Sequence, residues 1–340
     1  MKYVNEAIYS QPSVLIPRKG SLNNLFFVDT PFWNVDTIYY TEINTDYILP
    51  KFFYYYLIIL ELEKLNLAGG VPSLTQSTLN KLSIPIPPLR VQARIVEILD
   101  KFTQLEKELE AELEARKKQY AYYRDQLLNF SQYPPLNVNI EWKTLGEVCL
   151  VQRGASPRPI AHYLTSSSDG IPWIKIGDTK VGSKYIESTQ ERITIEGAQR
   201  SRQLSAGDFI LSNSMSYGRP YILKIDGAIH DGWASLSEIS SSILSDYLFY
   251  FLSSSKVQMY WEGKINSGSV SNLNADIIKA LPIPIPPLSE QRRIVDILDR
   301  FDTLTNSISE GLPKEIALRR KQYAYYRDAL LSFPRPEASA

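Results

Sequence analysis

The chain has 340 residues, enough for two or three domains, and its 44% hydrophobic and 22% charged content excludes a disordered or fibrous protein. Its 37 basic residues are cancelled by 37 acidic ones, so it lacks the basic excess of a free-standing nucleic-acid binder, and any DNA contact must rest on local arrangement or on a partner's charge. One cysteine, Cys149, excludes an internal disulfide framework and fits a reducing cytoplasm, while His162 and His230 are too few for a Cys/His zinc site.

Residues 1–88 read as a first globular region, mixing short β-type runs such as Val14-Leu15-Ile16 with turn punctuation. Apolar runs such as residues 54–60 are too short to span a membrane, and no signal-peptide pattern opens the chain. Proline in the I-P-I-P-P run at residues 84–88 removes amide donors, which predicts an extended connector ending at a helix start. A long helix follows over residues 89–133. Its seam, Ile95, Leu99, Phe102, Leu105, Leu109, Leu113, Arg116, Tyr120, Tyr123 and Leu127, recurs at spacings of three and four. At about 1.5 Å per residue, residues 90–130 would span roughly 60 Å. The tetrapeptide E-L-E-A occurs twice, at residues 108–111 and 112–115, each unit adding one seam leucine and an acidic, solvated face.

Residues 134–287 read as a second mixed region. Ile171-Pro-Trp-Ile and residues 208–211 suggest strands, and residues 246–252 a short helix. Cys149 sits in an apolar run and reads as a buried small hydrophobe. His230-Asp231-Gly232-Trp233 is the most tempting catalytic cluster, but it reads better as a turn between strands with Trp233 packed inward. No phosphate-binding glycine loop and no nucleophile elbow occur. A second helix over residues 288–333 carries the seam Ile294, Leu298, Phe301, Leu304, Ile308, Leu312, Ile316, Arg319, Tyr323, Tyr326 and Leu330, with Gly311 and Pro313 placed to split it. Residues 334–340 form a tail.

The second half restates the first. Residues 82–102 recur at 281–301, displaced by 199, and residues 117–130 recur at 320–333, displaced by 203. Upstream, residues 49–57 resemble 244–252. The second copy continues upstream through residues 141–196, for which the first has no counterpart, so the first region is expected to lack its opening half, expose strand edges and be unstable alone unless another chain completes it. These patterns predict an α+β fold: two globular mixed regions, the first incomplete, separated by two long helices pairing antiparallel as a coiled coil. The alternative is that each helix packs on its own region.

The repeated I-P-I-P-P-L-x-x-Q-x-R-I-V-x-I-L-D-[KR]-F, the R-x-K-Q-Y-x-Y-Y-R-D-x-L-L-x-F block and the W-K-T-L-G-E-V stretch at Trp142 resemble the specificity subunit of type I restriction–modification systems. The resemblance covers nearly the whole chain. It implies two target-recognition domains, each followed by a spacer helix and each reading one half of a split DNA sequence, with no catalysis in this subunit. It also implies double-stranded DNA, two methyltransferase subunits and translocase-nuclease subunits as partners, and places S-adenosylmethionine and ATP/Mg on those partners. The E-L-E-A tetrads look like those that set the unread spacer in one branch of that family. One tetrad adds about 6 Å of helix, close to two base-pair rises.

Residues 141–280 hold 14 basic and 14 acidic residues, so charge alone marks no DNA face. Sequence readers must instead be donors and acceptors on loops. The candidates are Arg153 and Arg158 in V-Q-R-G-A-S-P-R-P; Ser214, Tyr217 and Arg219 in S-N-S-M-S-Y-G-R; Lys264, Asn266 and Ser267 in G-K-I-N-S-G-S; and Arg18, Lys19 and Ser21 in the first region. Arginine suits guanine, asparagine adenine, and serine or tyrosine phosphate; a solvated loop role is the alternative for each. Leu105, Leu109, Leu113, Tyr120, Tyr123, Leu127, Leu304, Ile308, Tyr323, Tyr326 and Leu330 are assigned to the coiled-coil or partner interface. The rival reading from another class is a coiled-coil adaptor that binds only proteins.

Overall fold

The computed structural model describes residues 5–66, 70–134, 138–179, 182–213, 218–266, 273–307 and 309–334. It resolves into two units, residues 1–112 with 314–340 and residues 113–313, so the boundaries fall inside the long helices rather than at their ends.

In the first unit, β1 (Ser13–Pro17), β2 (Phe26–Val28) and β3 (Ile38–Tyr40) form an antiparallel sheet in the order β2-β1-β3. Helix α1 (Pro50–Ile59) begins on a proline, whose missing donor costs nothing in a first turn. Its Leu57 joins Val14, Ile16, Leu22, Leu62 and Leu74 in one core, while Phe52 and Tyr55 join Ile95 and Leu99 in a second. Helix α2 (Gln76–Leu79) is capped by Thr75, whose hydroxyl accepts from the Thr78 amide at 3.2 Å. Helix α3 (Leu89–Leu128) runs 40 residues, of which 89–112 belong here.

The second unit holds β4 (Glu141–Thr144), α4 (Leu145–Val148), β5 (Leu150–Arg153), β6 (Leu164–Thr165), β7 (Ile171–Ile174), β8 (Tyr185–Ile186), β9 (Glu191–Ile193), α5 (Ile195–Gln199), β10 (Arg202–Leu204), β11 (Phe209–Ser212), β12 (Pro220–Leu223), β13 (Gly227–Ile229), β14 (Trp233–Ser237), α6 (Ser245–Leu252), α7 (Ser255–Asn266), α8 (Ala275–Lys279), β15 (Pro282–Ile285) and α9 (Leu288–Asn306). Two five-stranded mixed sheets, β5-β14-β11-β12-β8 and β10-β13-β7-β9-β6, enclose Ile174, Ile186, Ile210, Leu223, Ile229 and Trp233. Trp233 is inward, its indole N–H donating to the Ile174 carbonyl at 3.2 Å, with His230-Asp231-Gly232 as the turn before it. Burial pushes the Cys149 thiol up to about 12, which keeps it protonated and inert. The proline-rich run expected as a connector gains a partner here, since β15 pairs antiparallel with β4 in a two-stranded ribbon.

The second long helix is broken, as Gly311 and Pro313 foretold: α9 stops at Asn306 and α10 (Gly311–Leu330) starts afresh. Gly311 has φ +69°, and a Cβ there would lie 2.4 Å from the Thr303 carbonyl oxygen, so only glycine permits this restart.

The helix seams are shared between copies. In the first unit, Phe102 of α3 packs on Tyr323 and Tyr326 of α10 at 6.4 and 5.4 Å between centroids. In the second, Phe301 of α9 stacks on Tyr120 and Tyr123 of α3 at 6.2 and 5.6 Å. Each copy's phenylalanine therefore meets the other copy's tyrosine pair. Both expected arrangements occur together, because Ile95 and Leu99 of α3 also pack on the region preceding it. Leu109, Leu113, Leu127, Leu304 and Leu330 are half-buried; Ile308 lies outside the described residues. Leu105 departs from its seam assignment, with 46% of its surface exposed. The neighbouring turns use charge instead: Arg320 of α10 reaches Glu106 and Glu110 of α3, each at 2.5 Å. Among the described residues, no helix is long and apolar enough to cross a membrane.

Candidate functional site

In the second unit, Asp231 gathers residues from two other loops, the one that follows β5 and the one that follows β11. The Ser156 hydroxyl donates to its carboxylate at 2.9 Å and the Arg158 guanidinium at 3.1 Å. Its backbone carbonyl accepts from the Asn213 amide side chain at 3.0 Å and from Arg153 Nε at 3.4 Å. The loop after β5 is fixed to the sheets by Gly154 N–H donating to Trp233 O at 2.8 Å and Ala155 N–H to Ile229 O at 3.3 Å. Hydrogen bonding from Ser156 above all, and then from Arg158, holds the Asp231 carboxyl below its ordinary range, so it is an anion at neutral pH. Burial lowers His230, whose Nδ1 accepts from the Gly232 amide at 2.8 Å, and keeps it neutral. The hydroxyl beside this pair, Ser156, donates to the Asp231 carboxylate and accepts from the Asp231 amide at 3.3 Å. The arrangement presents two arginines, with the Arg158 side chain 82% exposed, from an anchored loop as hydrogen-bond donors.

The structure brings Arg153 and Arg158 together and keeps Arg219 apart. Exposed Arg219 lines a cleft of about 630 Å³ with Tyr120, Arg124, Gln258, Glu262 and Asp302, and burial raises the Asp302 carboxyl. Ser214, Tyr217 and Ser267 lie outside the described residues. Lys264 and Asn266, expected on a loop, belong to helix α7. Buried Val257, Trp261 and Ile265 recur every four residues along it, and that packing carries the helix through Gly263 despite glycine's poor propensity.

In the first unit, Arg18 donates to Asp36 O at 2.6 Å and stacks over Tyr39 at 5.2 Å; Lys19 bridges to Ser73, and Ser21 is exposed. The two loops share one tether. Leu74 N–H donates to Arg18 O at 3.0 Å, and its repeat equivalent Leu273 N–H donates to Asn213 O at 3.3 Å.

Sequence reasoning missed the residues that fix each region to its helix. Gln92 is fully buried; its Oε1 accepts from Leu49 N–H at 2.7 Å, and its amide donates to Tyr47 O at 2.8 Å and Pro87 O at 2.7 Å. Gln291 repeats the pattern with Leu244 N–H at 2.8 Å, Ser242 O at 2.8 Å and Pro286 O at 2.9 Å. Leu49 and Leu244 are the N-caps of α1 and α6 and have no side-chain cap of their own, so the glutamine caps from another helix. Further along, Tyr55 donates to Asp100 at 2.6 Å, and Tyr250 to Asp299. The available signal was the identity of these polar positions in both copies of P-L-x-x-Q and I-L-D.

Comparison with known proteins follows the same lines. The family described as type I restriction modification DNA specificity domain matches residues 1–115 and 137–318. The specificity subunit of the type I restriction enzyme EcoR124I/EcoR124II of Escherichia coli is 38% identical over 302 residues, covering 85% of this chain and 72% of that protein. A putative type I specificity subunit of Haemophilus influenzae is 36% identical over 295 residues, covering 83% and 72%. Among solved structures, a chain from a study of assembly and conformational transition of the type I R-M system superposes with TM-score 0.70 at 19% identity, covering 97% of this chain and 84% of that one. The HsdS subunit from Thermoanaerobacter tengcongensis gives TM-score 0.53 at 19% identity, covering 97% and 81%. At such identities the structural likeness speaks for the fold.

Proposed function

Because the chain belongs to the type I restriction modification DNA specificity domain family, we propose that it reads a two-part DNA target, one part through each globular region, and docks methyltransferase subunits on its helices. It is the DNA sequence-recognition subunit of such an enzyme and has no catalysis of its own. The observation that carries the two-part reading is the reciprocal construction: in both copies a buried glutamine and a Tyr–Asp hydrogen bond fix a globular region to its helix, and that helix's phenylalanine meets the other copy's tyrosines. A reader of split sequences needs two regions held by equivalent rigid mounts.

In the second unit, Arg153 and Arg158 are the base or phosphate donors, set by Asp231 and Ser156, and Arg219, Lys264 and Asn266 are further candidate donors. In the first unit, Arg18, Lys19 and Ser21 take the place that corresponds to the S-N-S-M-S stretch of the second. Methyltransferase docking uses Tyr122 and Tyr325, equivalent in the two copies and 60% and 70% exposed, together with Leu89 and Leu288. S-adenosylmethionine and ATP/Mg reside on partner subunits, translocase-nuclease subunits join the methyltransferases, and the complex works in the cytoplasm. Neutral net charge fits this division, since partner subunits supply phosphate attraction.

The test is competition binding of the complex assembled with methyltransferase to its preferred duplex. Scrambling either half-site is expected to weaken binding, and scrambling the spacer sequence is not. Equal affinity for a duplex scrambled at every position would refute sequence readout and leave the protein-only adaptor.

A further inference from the structure

We infer that Arg18 reads a guanine in the half-site of the first unit, a role that its counterpart in the second unit, Asn213, does not take. The inference rests on the DNA-readout function proposed above and adds which side chain reads and which base it reads.

The two copies agree residue by residue around this position. Ile16 of β1 lies opposite Tyr39 of β3, and Leu211 of β11 lies opposite Ala234 of β14, so here the copies correspond at a displacement of 195. That register sets Arg18 on Asn213 and Asp36 on Asp231. Two backbone bonds repeat under it. Ile38 N–H donates to Val35 O at 3.1 Å, as Trp233 N–H does to His230 O at 3.2 Å. Arg18 N–H donates to Thr37 O at 2.9 Å, as Asn213 N–H does to Gly232 O at 3.2 Å. Residues 35–38 are therefore the same turn as residues 230–233. The side-chain tether repeats too: Arg18 Nη1 donates to Asp36 O at 2.6 Å, where the Asn213 amide donates to Asp231 O at 3.0 Å. Ser156 and Arg158 contact the Asp231 carboxylate, a different group, so the Arg18 tether does not depend on a loop of their kind.

The copies differ in what the side chain has left to offer. Asn213 is buried and holds the turn from behind. Arg18 is exposed and carries five N–H donors. One of its donors holds the turn, and its guanidinium lies over the Tyr39 ring at 5.2 Å, so the plane is fixed at two points. Tyr39 is itself held, its hydroxyl donating to Leu74 O at 3.3 Å. The stacking partner comes only with the arginine, because the residue corresponding to Tyr39 is Ala234. Nε and Nη2 of Arg18 have no partner among the described residues. They share one edge of the guanidinium and donate in parallel, which matches O6 and N7 on the major-groove edge of guanine. Fixing the plane in advance removes rotamer freedom that a loose arginine would lose on binding, so the fork meets its acceptors in one orientation. Neighbouring Lys19, a point charge on a flexible stem, suits a phosphate instead.

The test is competition binding of the complex assembled with methyltransferase to its preferred duplex, with each guanine of both half-sites replaced in turn by 7-deazaguanine, which lacks the N7 acceptor. One guanine is expected at which the replacement weakens binding by the unaltered chain and leaves Arg18→Asn indifferent. Arg18→Asn carries the second unit's own tether, so it keeps the fold, which circular dichroism checks, while preference for G·C at that position falls about tenfold. Arg18→Lys, which keeps the charge and loses the fork, is expected to lose the same preference. If both variants keep their discrimination at every guanine, the inference is overturned and two-part readout stands. A loss spread evenly over all sequences, with salt dependence shallower by about one ion, assigns Arg18 to a phosphate and also overturns it. Equal affinity for a duplex scrambled at every position overturns the readout function and this inference with it.

Discussion

Replacing Gln291 by alanine is expected to loosen the second target-recognition region from its helix more than its single side chain suggests. Gln291 is fully buried, and the substitution removes three hydrogen bonds of 2.8, 2.8 and 2.9 Å. It strands the Leu244 amide and the Ser242 and Pro286 carbonyls where water cannot readily replace the lost partner. Each buried polar group left unsatisfied costs about 1–3 kcal/mol, and partial solvation of the vacated space trims the sum, so the expected loss is about 3–5 kcal/mol. Gln92→Ala is expected to do the same to the first unit, because its three bonds are equivalent and as short. A chain of this size need not unfold in one step, so the assay is hydrogen exchange at single amides. Leu244 is expected to exchange at least about a hundredfold faster in Gln291→Ala, and Leu49 in Gln92→Ala, each leaving the other amide unchanged. A change below about 1 kcal/mol at the matching amide, or equal changes at both, would refute the idea that these glutamines are independent mounts.

Asp231→Ala releases Ser156 and Arg158 together, and Arg158→Ala removes one donor. Both are expected to reduce discrimination in one half-site about tenfold while sparing the other, with stability changed by less than about 1 kcal/mol because the pair is largely exposed; undiminished discrimination in half-site competition would remove these residues from the reader. Burial sets the folded His230 below its ordinary value of 6.5, so on acidification from that value the unfolded chain takes up the proton first. Stability should therefore fall below pH 6.5 until the folded imidazole itself titrates, and His230→Asn should flatten that slope in urea midpoints; an NMR titration midpoint above 6.5 would contradict the argument. Inserting one further E-L-E-A tetrad within residues 108–115 is expected to lengthen the unread spacer by about two base pairs and leave both half-sites intact, as mapped by methylation of the assembled complex. A changed half-site sequence would refute the ruler.

Local signals were legible without coordinates. Seams at spacings of three and four marked the long helices, Gly311 and Pro313 marked the break between α9 and α10, and turn chemistry placed Trp233 inward after His230-Asp231-Gly232. Each depends on backbone preference and side-chain periodicity over a few residues, information that sits in consecutive letters. The duplication was legible too, and with it the family. The tertiary structure decided the rest. Lys264 moved from an expected loop into α7 because packing by Trp261 and Ile265 outweighs glycine's cost. Leu105 is exposed in a stretch where Arg320 meets Glu106 and Glu110. Asp231 became the centre of the candidate reader only when Ser156, Arg158 and Asn213 converged on it from positions 75, 73 and 18 residues away. Periodicity is written along the chain, whereas convergence of this kind is written only in the packing that brings distant loops to one point.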